Sequence, residues 1–244
     1  MNHMSHPLEA ADLVIKGIRP PLKLSDFKLI AFDMDSTLIN IECVDEIADA
    51  AGRKAEVAAI TEAAMQGEIA DYKDSLRRRV RLLKGVTTVQ MDLVLHERLQ
   101  LNPGAATLVA ACQRAGLKVL LVSGGFTYFT DHVRDLLAID YTRSNVLEVV
   151  DAKLTGRLLD QPWGDICDGD EKRKMLLATC AQLGLSPLQS IAMGDGANDI
   201  PMMSAAGLAV AYHAKPKVRE QAMVSIESGG LDRLLEVLQA GTEP

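Results

Sequence analysis

A chain of 244 residues with 48% apolar and 24% charged side chains has the makeup of a soluble globular protein, which excludes wholesale disorder and a fibrous architecture. Its length suits one large domain, or a domain carrying a smaller insert, that buries about 70 to 75% of its unfolded surface and needs no disulfides. Twenty-six basic against 33 acidic residues leave a net charge of −7, which argues against general nucleic-acid or membrane-surface binding and means that an anionic ligand needs local positive charge.

Residues 1–10 mix His, Ser, Pro and Glu with no basic start or apolar run, so no secretory signal is expected and a cytoplasmic location is the default. Residues 1–24 run into Arg19-Pro20-Pro21, which resists regular structure, and read as a leader lying on or beside the domain. Residues 28–33 (KLIAFD) are a short apolar run ending abruptly in acid, as expected of a strand buried on both faces of a parallel sheet. Residues 44–100 carry three successive helical patterns and predict an inserted helical subdomain, set into a core made of residues 25–43 and 101–244. After it come a helix over 105–116, a second strand at 117–123 and a β-hairpin over 145–156 turning at Asp151-Ala152. A helix over 172–184 with a glycine stop, a third strand at 190–195, and two more at 208–212 and 223–226 complete the chain. This alternation predicts a doubly wound, Rossmann-like α/β domain with a parallel sheet.

The longest apolar stretches, such as residues 117–122, are far short of the roughly 20 residues that span a bilayer, so no membrane contact is expected. Cys43, Cys112, Cys167 and Cys180 form no C-x-x-C pair and read as reduced structural thiols, and the five histidines are too scattered for a zinc site.

In open α/β sheets ligands sit beyond the carboxyl ends of the strands, where the strand order reverses. Three such ends carry Asp33-Met34-Asp35-Ser36-Thr37, Ser123-Gly124-Gly125 and Gly194-Asp195-Gly196-Ala197-Asn198-Asp199. Taken singly, Asp and Ser at strand ends are mostly helix caps and turn formers. Together they would bring a hydroxyl, backbone donors and four carboxylates to one edge.

These motifs resemble the phosphatases of the haloacid dehalogenase superfamily: D-x-D-x-T at Asp33 to Thr37, Ser123 before Gly124, G-D-G-x-N-D at Gly194 to Asp199, and a lysine at Lys172. Longer strings, D-x-D-S-T-L-x-N-x-E at 33–42, S-L-R-x-R-V at 75–80, V-S-G-G-F at 122–126 and A-K-P-K at 214–217, are similar to the members that hydrolyse O-phosphoserine. The resemblance runs from about residue 27 to 238, and residues 158–164 depart from it as a longer stretch carrying the only tryptophan.

The resemblance implies hydrolysis of O-phosphoserine to serine and phosphate through an aspartyl-phosphate, the reaction that completes serine biosynthesis. The chemistry agrees. Asp33 is the expected nucleophile and Asp35 the acid that protonates the leaving oxygen and then activates water, its ionisation disfavoured by the neighbouring carboxylate. Mg²⁺ suits such oxygen donors, with Asp33, Asp195 and the Asp35 carbonyl as expected ligands. Nothing in the run Glu171-Lys172-Arg173-Lys174 separates Lys172 from Lys174; the resemblance singles out Lys172 as the phosphoryl-binding lysine, Asp199 as the carboxylate holding it, and Asn198 as a donor near the substrate. The Ser123 hydroxyl and Gly124 amide should bind phosphate.

At about 100° per residue, Met65, Ile69, Tyr72, Leu76, Val80 and Leu83 form one helical stripe, with Arg79 beside it and Arg77, Arg78 and Arg81 facing away. In the family the arginine at Arg79 binds the substrate carboxylate and the acid at Glu42 its ammonium; read alone, Glu42 is more simply an acid at a helix start. Two other readings stay open: a phosphatase of another small phosphomonoester, and a receiver-like phosphoacceptor module. The chain is expected to act as a monomer or homodimer.

Overall fold

A strand with no polar face must be covered on both sides, and β3 (Leu29–Phe32) is: Ile30 and Phe32 pack into one apolar cluster and Leu29 and Ala31 into another. The computed structural model describes residues 12–65, 69 and 71–239. β3 lies inside an eight-stranded sheet of order β1-β9-β8-β7-β3-β4-β5-β6. Its parallel members are β3, β4 (Lys118–Phe126), β5 (Tyr141–Val150), β7 (Ser190–Gly194), β8 (Leu208–Tyr212) and β9 (Val224–Ile226). The edges, β1 (Leu13–Ile15) and β6 (Lys153–Leu159), are antiparallel to their neighbours.

Helices α5 (Ala105–Arg114) and α6 (Thr127–Leu137) cover the face holding Ile30 and Phe32. Helices α7 (Gly169–Gln182), α8 (Ile200–Ala205) and α9 (Pro216–Gln221) cover the opposite face through Leu176, Cys180, Met202, Met203 and Val218. The chain winds outward from β3 in both directions, through β4 and β5 on one side and β7, β8 and β9 on the other, so the strand order reverses beside the carboxyl end of β3. The expected doubly wound α/β domain is the fold. Between β3 and β4 the chain forms α1 (Cys43–Ala50), α2 (Lys54–Met65), α3 (Tyr72–Leu82) and α4 (Thr88–Leu93), the last continued by a wider helical turn over Val94–Arg98. No helix among the described residues is long and apolar enough to cross a membrane.

The structure departs from expectation at three places. Residues 12–24 do not merely lie beside the domain: Leu13 pairs with Ile226 and Ile15 with Val224, and β2 (Leu22–Lys23) pairs with β10 (Leu238–Gln239) in a small second sheet. Pro20 and Pro21 fall between these strands, where the missing amide hydrogens interrupt no ladder. Residues 1–11 of the expected leader lie outside the described residues. Second, the continuous stripe from Met65 to Leu83 is divided: α2 ends at Met65, and Asp71 caps a new helix by accepting from the Lys73 amide at 3.0 Å. Tyr72, Leu76 and Val80 remain on one face of α3, while Leu83 lies just past its end and the Met65 side chain is outside the described residues. Third, Leu158 and Leu159 belong to β6, so only the residues after them loop out, closed by reciprocal backbone bonds between Gln161 and Gly164 at 2.8 and 3.0 Å.

Leu120, fully buried in β4, tests the two-faced packing. Leu120→Ala should cost about 3 kcal/mol and lower Tm by roughly 6 to 12 °C, read as a lower urea midpoint at unchanged m-value.

Candidate active site

The first element of the site is the turn that leaves β3. Asp33, anchored by its amide to the Met193 carbonyl at 3.0 Å, continues the extended backbone, and Ser36 takes a left-handed conformation (φ 56°) that reverses the chain. The Ser36 hydroxyl donates to Glu42 at 2.6 Å, so the turn is fastened to the residue that precedes α1. Asp35 points back to the start of that helix, accepting from the Cys43 amide at 3.0 Å and from the Cys43 thiol at 3.1 Å. The Thr37 hydroxyl reaches Asp195 at 3.2 Å.

Helix α7 supplies the cation. Lys172 is fully buried and donates to Asp33 at 2.6 Å and to Asp199 at 2.7 Å, whereas Lys174 is exposed. Geometry thus separates two lysines that the local sequence leaves equivalent. The second Asp199 oxygen accepts from the amides of Asp195 and Gly196 at 3.2 and 3.0 Å. Asp199 comes so close to β7 that a side chain on Gly194 would fall 2.4 Å from its carboxylate, which is why that strand ends in glycine.

The β4 end supplies a hydroxyl and two small residues. The Ser123 hydroxyl, 1% exposed as a residue, accepts from the Gly125 amide at 2.9 Å. At Gly124 a Cβ would stand 2.1 Å from the Tyr72 hydroxyl, so the first turn of α3 rests on this glycine. Asn145 of β5 locks the segment, donating to the Gly124 carbonyl and accepting from the Cys167 amide, both at 2.8 Å.

A cavity of about 290 Å³ is lined by Asp33, Asp35, Glu42, Arg79, Ser123, Gly124, Asp195 and Asn198, with Asp45, Tyr72 and Lys215 among the others. Eight of the expected site residues therefore converge, and Lys172 and Asp199 lie buried behind them. Arg79 faces the cavity while Arg77, Arg78 and Arg81 are exposed, as the helical stripe implied despite its division. Arg79 Nε and an Asp45 carboxylate oxygen are buried without a hydrogen-bond partner among the described residues, so the cavity wall holds polar groups that a polar ligand can satisfy.

Electrostatically the site is overloaded with carboxylates. Burial, reinforced by Asp199 and opposed by Lys172, raises Asp33 well above the usual carboxylate range. Burial, then Asp199 and Glu42, lifts Asp195 to about 7. Asp35 also reaches about 7, through burial and Glu42 rather than through Asp33, the neighbour expected to act on it. Burial lowers the proton affinity of Lys172, but Asp199 and Asp33 outweigh it and hold its pKa well above the ordinary value. Carboxylate oxygens of Asp33, Asp195 and Asp199 all lie within 4.8 Å of one another, an arrangement able to hold a metal ion. Since both Asp199 oxygens are already engaged, Asp33 and Asp195 are the two side chains of this set best able to turn toward a cation.

Cys43, Asp45, Tyr72, Asn145 and Lys215 are not among the site residues expected from the sequence, where Tyr72 figures only in the helical stripe and Cys43 only as a structural thiol. Lys215 stands within the A-K-P-K string and Cys43 follows Glu42, so motif adjacency was an available signal for those two. For Asn145 none existed, because its partners lie 21 and 22 residues away.

Over residues 27–207 the chain matches the family described as haloacid dehalogenase-like hydrolase. It is 77% identical to a phosphoserine phosphatase of Polaromonas sp., across 93% of this chain and 96% of that protein. It is 74% identical to a phosphoserine phosphatase of Albidiferax ferrireducens, across 96% and 99% of the two chains. Among solved structures, it is similar to the unliganded probable phosphoserine phosphatase from Vibrio cholerae (TM-score 0.78, 44% identity, 89% of this chain and 66% of that one). It is also similar to a phospho-aspartyl intermediate analogue of phosphoserine phosphatase (TM-score 0.80, 37% identity, 87% and 99% covered). With sequence motifs, fold and relatives in agreement, the chain belongs to the haloacid dehalogenase-like hydrolases and, within them, to the family of the phosphoserine phosphatases.

Proposed function

We propose that this chain hydrolyses O-phosphoserine to serine and inorganic phosphate, with Asp33 as the nucleophile and Mg²⁺ as the cofactor. The observation that carries the reading is one cavity lined both by Asp33, Asp35, Ser123 and Gly124, suited to a phosphoryl group, and by Arg79 and Glu42, suited to a carboxylate and an ammonium group. Phosphoserine bears all three charges. Relatives named phosphoserine phosphatase at 77 and 74% identity support the same substrate.

Asp33 attacks phosphorus as the bond to the serine oxygen breaks, and Asp35 delivers its proton to that oxygen. A pKa of about 7 suits this group to both halves of the cycle. Serine leaves, and the Asp35 carboxylate takes a proton from water as the water oxygen attacks phosphorus. The Asp33–phosphorus bond breaks, phosphate is released, and both acids return to their starting forms. Lys172 and the Ser123 and Gly124 groups balance the charge on the phosphoryl oxygens and orient them.

The donor set fits a hard cation: the carboxylates of Asp33 and Asp195 offer oxygen alone, and no imidazole lines the cavity among the described residues. These two side chains, with the Asp35 backbone carbonyl, would hold Mg²⁺. When bound, the ion supplies positive charge that neutralises the carboxylates and polarises the phosphoryl oxygens.

Asp33→Asn should fold normally and retain less than about a thousandth of wild-type turnover; activity above that level in a phosphate-release assay reassigns the nucleophile. Arg79→Ala removes a charged contact made only with an amino-acid substrate. It should raise KM about 100-fold for O-phosphoserine, equivalent to about 2.7 kcal/mol, and change KM for p-nitrophenyl phosphate by less than about threefold. Equal effects on the two substrates would point to another phosphomonoester.

The raised carboxylates also set a sign for stability. Where a folded-state pKa exceeds the unfolded one, the folded chain binds more protons and stability falls as pH rises, here between about 4 and about 7. Metal-stripped protein should therefore lose Tm from pH 5.5 to 8, and Mg²⁺ should restore more of it at pH 8 than at pH 5.5. An increment independent of pH would place the ion away from these acids.

A further inference from the structure

The only tryptophan of the chain, Trp163, stands in the loop that follows β6, and the catalytic reading leaves it without a task. Its ring lies under the guanidinium of Arg143, whose central carbon is 5.1 Å from the ring centroid. Arg143, on β5, forms an ion pair with Glu171, and their side chains are 22% and 8% exposed. Glu171 is the residue immediately before Lys172 in the first turn of α7. We propose that Arg143, in contact with Trp163, is a positioning residue that fixes Lys172 by holding Glu171. The proposal rests on the reading of Lys172 as the phosphoryl-binding lysine.

Consecutive residues on a helix point about 100° apart. Gripping Glu171 against β5 therefore fixes the rotation of α7 about its axis, and with it the direction in which Lys172 emerges. The tolerance is small, because the Lys172 ammonium is shared between two carboxylates at 2.6 and 2.7 Å. Asp168 holds the helix start by accepting from the Glu171 amide with its side chain and from the Lys172 amide with its carbonyl, both at 2.9 Å, but these bonds leave side-chain direction to other contacts.

A buried ion pair contributes little net stability over an apolar pair of similar volume, because both charges are desolvated. What a guanidinium fork adds is direction. The Trp163 ring lies against the same guanidinium, its centroid 5.1 Å from the central carbon, and adds a second contact that limits the movement of the fork. The loop that delivers Trp163 also carries Asp165, which binds Lys73 at 2.8 Å and also Arg77, both on α3. One loop thus steadies the helix bearing Lys172 and the helix bearing Arg79.

The test separates direction from stability. The double variant Arg143→Met/Glu171→Gln buries no unpaired charge and should keep its Tm within about 4 °C of wild type, a shift worth about 1 to 2 kcal/mol in a chain of this size. Its kcat should nevertheless fall at least about tenfold, with KM changed less than about threefold, equally for O-phosphoserine and p-nitrophenyl phosphate. Trp163→Ala and Arg143→Lys should each give a smaller loss in kcat without loss of Tm. Amide hydrogen exchange across residues 169–173 should quicken in the double variant while the rest of α7 stays protected, a readout that needs no turnover. Wild-type kcat in the double variant, a loss confined to KM, or unchanged exchange in that turn would each overturn the proposal. Wild-type protein that hydrolyses p-nitrophenyl phosphate but not O-phosphoserine would instead overturn the substrate reading, and the kcat comparison would still be decided on the aryl ester.

Discussion

A buried ammonium between two buried carboxylates is the interaction on which this molecule turns. Lys172 has no access to solvent, and neither does Asp199, so each would be prohibitively costly alone. Together with Asp33 they tie α7, the β3 end and the segment after β7 into one charged knot at the strand-order reversal. The knot still carries more negative than positive charge, and the proton affinities of Asp33 and Asp195 are raised first by burial and then by the neighbouring Asp199. Asp33, Asp195 and Asp199 together form an arrangement able to hold a metal ion.

Around the knot the sheet edge and the helices between β3 and β4 meet. The doubly wound sheet brings Asp33, Ser123 and Asp195 to one edge from three different strands. The helices between β3 and β4 lay Arg79 and Tyr72 over that edge, the tyrosine touching down on Gly124. Residues from the sheet edge and from the helices between β3 and β4 therefore line a single cavity. Contacts such as Tyr72 on Gly124 and Asp165 on Lys73 are the places where the units are held together.

Much of this was legible in the residues. Runs such as Leu29–Phe32 and Leu208–Tyr212 announced doubly covered strands because they contain no polar position at all. Asp33 after β3, Ser123-Gly124 at the end of β4 and Gly194-Asp195 at the end of β7 pointed to the edge where the cavity lies. What escaped was whatever depends on distant partners. The strand Leu13–Ile15 is three residues long and owes its existence to pairing with β9, a contact invisible in its own composition. The stripe toward Arg79 had the right face but the wrong continuity, since a periodic pattern survives a break that a capping aspartate introduces. The proton affinity of Asp35 was expected from Asp33 two positions along the chain, whereas burial and Glu42 dominate it.

The alternation of β3 between its two apolar clusters has a further effect. Asp33 follows Phe32, so it shares the parity of Leu29 and Ala31, the face against which α7 packs and from which Lys172 arrives. A slip of one residue in this strand would turn Asp33 toward the opposite layer and, in the same movement, exchange bulky Phe32 for slender Ala31 on each side. The frame that suits the packing is thus also the frame that aims the acid.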